Sequence, residues 1–203
     1  MDKLGGVCLN RGCIPTKAVL KSAHSVHELA DFKSLGINVD LKSLDGSVAV
    51  KRASGISDRI SKGIGFLMKK NNIEVIQGFG KLKTPTSIDV KLSNGSNEVV
   101  NAKNIIIATG ARSRELPNLP QDGKKIIGYR QAMVLPEQPK SMVVVGSGAI
   151  GVEFAYFYAT MGTKVTIVEF MENIVPVEDE DVSKQLLRNM KKTGIEIMTS
   201  SSV

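Results

Sequence analysis

The sequence predicts an α/β fold in which a parallel sheet covered by helices is joined to a small antiparallel meander. Two observations carry this. Between residues 141 and 198, short Val- and Ile-rich strands alternate with helical stretches as βαβαβ, the order a parallel sheet requires. Between residues 74 and 102 the hydrophobic period falls to two, and Asn94-Gly95 supplies a hairpin turn signal.

Taken in order, Met1 to Gly6 reads as a loop. A helix is expected from Cys13 to Ala30, with Ile14, Ala18, Val26 and Leu29 among its apolar positions, and Gly36 and Asn38 mark a break. A second helix covers Ser47 to Asn71 and stops at Lys69, Lys70 and two Asn. Strands are expected at Glu74–Phe79, Ser87–Leu92 and Glu98–Ala102, then an apolar strand at Asn104–Ala108 that ends on Thr109-Gly110. A connector with Pro117, Pro120, Pro136 and Pro139 places a domain boundary between 1–115 and 116–203. Beyond it lie a strand at Ser141–Val145, a helix at Ala149–Met161 stopped by Gly162, and a strand at Lys164–Val168. A helix at Glu180–Lys192 stopped by Gly194 and a strand at Ile195–Met198 complete the unit.

Composition narrows the function classes. The 203 residues are 42% hydrophobic and 23% charged, which suits a packed core and not a disordered chain. Net charge is +7, but the basic residues are scattered and Trp is absent, so neither a nucleic-acid groove nor a stacking platform is indicated. No apolar run reaches the roughly 20 residues that span a bilayer. The start shows no signal-peptide pattern, so a cytoplasmic location is expected, or the mitochondrial matrix in a eukaryote.

Gly146-Ser147-Gly148-Ala149-Ile150-Gly151 stands between a strand and a helix, the context that a dinucleotide fingerprint demands. Gly146 allows the tight turn, Gly148 the approach of a pyrophosphate, and Gly151 close packing of helix on strand. The helix N-terminus then offers N–H groups to the phosphates. Glu169 lies 23 residues after Gly146, directly after the second strand. A carboxylate there accepts the ribose hydroxyls and repels a 2′-phosphate; Phe170 and Met171 follow, with no Arg to receive that phosphate. The pattern favours NAD over NADP. The alternative is a Gly-rich turn without a ligand.

The only cysteines, Cys8 and Cys13, are too few for a secreted disulfide framework. They are a local redox pair, half of a metal site, or two separate thiols. Five positions along a regular helix put about 7.5 Å of rise between them, so a bridge requires the backbone to depart from helix, which Gly12 permits. With Pro15 in a first turn, Cys13 sits at a helix N-terminus, where the dipole favours a thiolate, and Lys17 lies on the same face. A zinc site needs further ligands; His24 and His27 are a helix length away and read as surface residues, so no metal is expected.

These residues together resemble a known family. GGVCLNRGCIPTK is similar to the redox-disulfide motif of the pyridine nucleotide–disulfide oxidoreductases, and Leu9, Ile14 and Thr16 resemble its dihydrolipoamide dehydrogenase branch. Gln77 to Lys81 and Ala108-Thr109-Gly110 resemble its flavin-contacting segments, and GSGAIGVEF its NAD fingerprint. The resemblance implies a partial FAD-binding domain over 1–115 and a partial Rossmann-type NAD-binding domain over 116–203. It implies an internal piece, inactive by itself, of a homodimeric flavoprotein that oxidises dihydrolipoamide on an acyltransferase lipoyl domain. Cys8 would be the interchange thiol and Cys13 the thiol beside the flavin, joined as a redox disulfide. Lys17, Gly80, Thr109, Gly110 and Ala111 would contact FAD; Gly146, Ser147, Gly148, Ala149, Ile150, Gly151, Glu153 and Glu169 would hold NAD. Glu153, the only charge between Ala149 and Met161, is expected to pair with Lys17 at the flavin edge, or else to complement its helix N-terminus. Other branches, of the glutathione or mercuric reductase type, are disfavoured by Glu169. A non-catalytic nucleotide-binding module is disfavoured by the thiols.

Overall fold

The computed structural model describes residues 3–203, apart from the side chain at position 30. Met1 and Asp2, read as the start of a loop, lie outside the described residues.

The redox segment forms a short helix α1 (Gly6–Arg11), between the expected loop and the expected helix, followed by α2 (Cys13–Asp31). Gly5 at φ +110° starts α1. Leu9 is buried beneath it, so even this single turn has an apolar anchor. After a 3-10 turn (Phe32–Leu35), α3 (Gly46–Lys70) runs along α2. Asp45 caps α3 by accepting from Ser47 N at 2.9 Å and Ser47 Oγ at 2.6 Å. Those bonds to the charged form hold the Asp45 carboxyl below its ordinary value.

The meander comprises β1 (Gly78–Thr84), β2 (Ser87–Leu92) and β3 (Asn97–Asn101), paired antiparallel in that order. β1 starts later than the sequence suggests and continues through Lys81 and Lys83. Pairing with β2 up to the tight turn at residues 84–87 decides its extent, where the Thr84 and Ser87 hydroxyls meet at 2.7 Å. Asn104–Ala108 is not a strand: it lies outside every sheet, with Ile106 91% and Ile107 69% exposed. An apolar run becomes a strand only where a neighbour completes its ladder, and none does so among the described residues.

The second half follows the expected order. β4 (Ser141–Val145), β5 (Lys164–Val168) and β6 (Glu196–Met198) form a parallel sheet in sequence order, with α5 (Ala149–Thr160) and α6 (Glu180–Lys192) as crossovers. A short α4 (Tyr129–Ala132) lies in the connector. Gly162 at φ +100° and Gly194 at φ +81° follow α5 and α6, as the stop signals require.

One core cluster joins the two halves. Val19 and Ala23 of α2 and Ala49 and Ala53 of α3 pack with Met133, with Phe154 and Phe157 of α5, and with Ile167 of β5. Among the described residues, the meander and residues 104–112 contribute nothing to that cluster. The helical layer therefore ties the segment that carries the cysteines to the parallel-sheet half. No helix among the described residues is long and apolar enough to cross a membrane.

Candidate active site

Cys8 and Cys13 form a disulfide with Cα atoms 4.7 Å apart. The departure from helix that this requires occurs at Gly12, whose φ of −132° and ψ of −116° separate α1 from α2. Both cysteines are exposed. The pairing implied by the resemblance is thus present, and the metal-site and separate-thiol alternatives fall away. Among the described residues no group of three or more His, Cys, Asp or Glu is arranged around a metal position. His24 and His27 are exposed; His24 pairs with Glu28 at 3.1 Å.

Asn10, to which the sequence reading assigned no role, holds the redox turn in place. Its Nδ2 donates to the carbonyls of Lys3, Leu4 and Gly6 at 3.2, 3.1 and 3.0 Å. Ser61 Oγ of α3 donates to the Leu4 carbonyl at 2.7 Å. The available signal was the tendency of Asn to bond nearby backbone instead of continuing a helix.

Lys17 and Glu153 form an ion pair that ties α2 to α5. The Lys17 side chain is 66% and that of Glu153 26% exposed, so solvent screens the pair and it contributes on the order of 1 kcal/mol or less to stability. Its consequence is positional: the helix that carries Cys13 is fixed to the helix that begins at the glycine turn.

At that turn, Gly146 adopts φ +94° and donates its N–H to the Val168 carbonyl at 2.8 Å. A Cβ on Gly151 would lie 2.2 Å from the Gly146 carbonyl oxygen, so only Gly lets α5 approach β4 this closely. A Cβ on Gly148 would meet nothing within 4 Å. Space therefore stands open over the N-terminus of α5, which no side chain caps. Open space and uncapped N–H groups fit a pyrophosphate. Ala149 and Ile150 are exposed at the same end.

Glu169 is buried, 7% exposed, and turned toward the glycine turn. Its Oε2 accepts from Ser147 N at 2.7 Å and Ser147 Oγ at 2.6 Å, while Oε1 accepts from Met171 N at 2.8 Å. These use three of the roughly four acceptor sites of a carboxylate. Oε1, with the single bond from Met171 N, is the less committed of the two oxygens. Burial pushes the Glu169 carboxyl up, but the bonds from Met171, Ser147 and Phe170 together outweigh it and hold the group below its ordinary value.

A carboxyl lowered in the folded state contributes stability that is present above its unfolded value, about 4.3. That stability is lost as pH falls through the lower folded value. Glu169→Gln is therefore expected to lower the melting temperature at pH 7 more than at pH 3, a difference readable by calorimetry. An equal loss at both pH values would show that the charge contributes nothing.

The residues expected to contact a flavin are placed more loosely. Gly80 lies in β1 with Ile88 Cγ2 3.2 Å from where its Cβ would be. Thr109, Gly110 and Ala111 are exposed outside regular structure, with Gly110 at φ +77° and open space above it. The disulfide, Lys17 and the backbone at Gly110 are each exposed.

Over residues 1–203 the sequence matches the pyridine nucleotide-disulphide oxidoreductase family. The chain belongs to that family. A dihydrolipoyl dehydrogenase from Chlorobaculum tepidum is 48% identical over 194 residues, 96% of this chain and 41% of that protein. The crystal structure of LpdA from Mycobacterium tuberculosis superposes with a TM-score of 0.88 at 28% identity, covering 98% of this chain and 44% of that one. The HOCl-induced flavoprotein disulfide reductase RclA from Escherichia coli superposes with a TM-score of 0.79 at 28% identity, covering 98% and 41%. The chain thus spans less than half the length of these relatives. Members of this oxidoreductase family join a disulfide, a flavin and a pyridine nucleotide, and this chain carries both the disulfide and the glycine turn, on helices α2 and α5 that Lys17 and Glu153 join.

Proposed function

We propose that these residues are the disulfide and nucleotide portion of an enzyme that oxidises dihydrolipoamide with NAD. The observation that carries the reading is the Lys17–Glu153 pair: it fixes the helix bearing Cys13 against the helix that opens at the glycine turn. The dihydrolipoyl dehydrogenase relatives support the substrate. Residues 1–115 serve the flavin and 116–203 the nucleotide.

In this reading a thiolate of dihydrolipoamide attacks the Cys8 sulfur and breaks the Cys8–Cys13 bond, leaving a mixed disulfide at Cys8 and a thiolate at Cys13. The second substrate thiol then closes lipoamide and releases Cys8 as a thiol, so two electrons pass from substrate to the pair. The N-terminus of α2 stabilises the Cys13 thiolate. FAD, when bound, supplies the two-electron carrier between the dithiol and NAD. Lys17, Gly80, Thr109, Gly110 and Ala111 would hold it. Gly146 to Gly151, Glu153 and Glu169 would hold NAD, with the pyrophosphate over Gly148 and the adenosine ribose at Glu169. The natural substrate is the lipoyl domain of an acyltransferase, and the working form is a cytoplasmic homodimer.

Two measurements test this. The full-length enzyme that carries these residues, supplied with FAD, is expected to reduce NAD with dihydrolipoamide and not with glutathione, whereas the 203-residue chain alone is expected to be inactive; the opposite substrate preference overturns the substrate assignment. Catalytic efficiency with NAD is expected to exceed that with NADP by at least about a hundredfold, because Glu169 repels a 2′-phosphate. Comparable efficiencies would remove Glu169 from the ribose site.

A further inference from the structure

We infer that Ser147 is a positioning residue for nucleotide choice: its hydroxyl and N–H hold Glu169 where it accepts the adenosine ribose and cannot turn away from a 2′-phosphate. This rests on the nucleotide reading above. Ser147 is fully buried, and each of its polar groups is committed. Its N and Oγ donate to Glu169 Oε2 at 2.7 and 2.6 Å, and its carbonyl accepts from Val175 N at 3.1 Å. Met171 N holds the other carboxylate oxygen at 2.8 Å.

A glutamate has three rotatable side-chain bonds, and an unrestrained one can swing from an incoming anion at little cost. This one cannot. Oε2 already accepts two hydrogen bonds, and Oε1 is the less committed oxygen for a ribose hydroxyl. A 2′-phosphate would meet a fixed, partly desolvated charge, and neither Phe170 nor Met171 offsets it. Holding the carboxylate therefore sharpens discrimination as well as strengthening NAD binding. The middle residue of a GxGxxG turn is otherwise free to vary, so the side chain at 147 is a specificity element and not a filler.

The test is a double-mutant cycle on the full 203-residue chain, reading dissociation constants for NADH and NADPH by nucleotide fluorescence. Ser147→Ala is expected to weaken NADH binding about fivefold to tenfold and to narrow the NADH/NADPH ratio by at least that factor. In a Glu169→Gln background the same change should have little effect, because its route runs through the carboxylate. Should Ser147→Ala not fold, Ser147→Gly removes the same hydroxyl and carries the comparison. If Glu169→Gln weakens NADH binding while Ser147→Ala leaves both constants unchanged, the positioning inference is wrong and the nucleotide reading survives. Equal losses from Ser147→Ala in both backgrounds would also overturn it, as a merely structural role would give. If the unsubstituted chain binds no NADH, or Glu169→Gln changes neither constant, the nucleotide reading itself falls.

Discussion

Replacing Gly151 by Ala is expected to lower the melting temperature by roughly 6–12 °C and to abolish NADH binding, whereas Gly148→Ala should leave stability intact and still weaken NADH binding at least about tenfold. The two glycines belong to one motif but are required for opposite reasons. At Gly151 the added methyl would stand 2.2 Å from a backbone oxygen and 3.3 Å from Val144 Cγ1. Neither neighbour can rotate away, so helix and strand must part, at a cost near the upper end of overpacking, about 3 kcal/mol. At Gly148 the backbone has φ −64°, which any residue adopts, and no atom lies within 4 Å of the new methyl. There the substitution costs nothing in the free protein and stabilises it slightly by restricting the unfolded chain. The methyl fills only the space proposed for the pyrophosphate. Calorimetry with fluorescence titration separates the two. Loss of NADH binding without destabilisation in Gly151→Ala would contradict the packing argument, and unchanged binding in Gly148→Ala would move the pyrophosphate elsewhere.

The cysteine pair should produce the largest effect on turnover. In the full-length enzyme, replacing either Cys8 or Cys13 by Ser is expected to reduce dihydrolipoamide oxidation by at least about a thousandfold, and replacing both should cost no more than replacing one, because the two sulfurs act as a unit. Thiol counting gives an independent reading. The oxidised chain should titrate no thiol, since Cys8 and Cys13 are its only cysteines and are joined. After reduction it should titrate two, and each single variant one. The exposure of both positions makes these thiols accessible to reagent without unfolding. Appreciable turnover by a single variant would show that the disulfide is structural and not the electron acceptor.

Much of this protein was legible from local pattern. The βαβαβ unit lies nearly where alternation and glycine stops put it, because every signal there is confined to a few residues: three consecutive valines, a glycine turn, glycines after each helix. The redox turn was legible for the same reason. Gly12 breaks the helix between Cys8 and Cys13, and sulfurs so close in sequence have little freedom to meet other partners. Asn104–Ala108 read as a strand and is none, because strand formation depends on a neighbour that no stretch of five residues encodes.

By itself, then, the sequence determined the layer order, the glycine turn, the redox motif and the acid at position 169, all of which depend on contacts within about twenty residues. Tertiary structure alone decided how these are used. It packed α2 on α5 and so realised, across 136 positions, the Lys17–Glu153 pair that was expected. It turned Glu169 inward onto Ser147, 22 positions away. It carried the core across the expected boundary near residue 115. Each of these depends on which surfaces exclude water together, and that is a property of the packed chain: burial fixes long-range partners, while sequence spacing fixes only near ones.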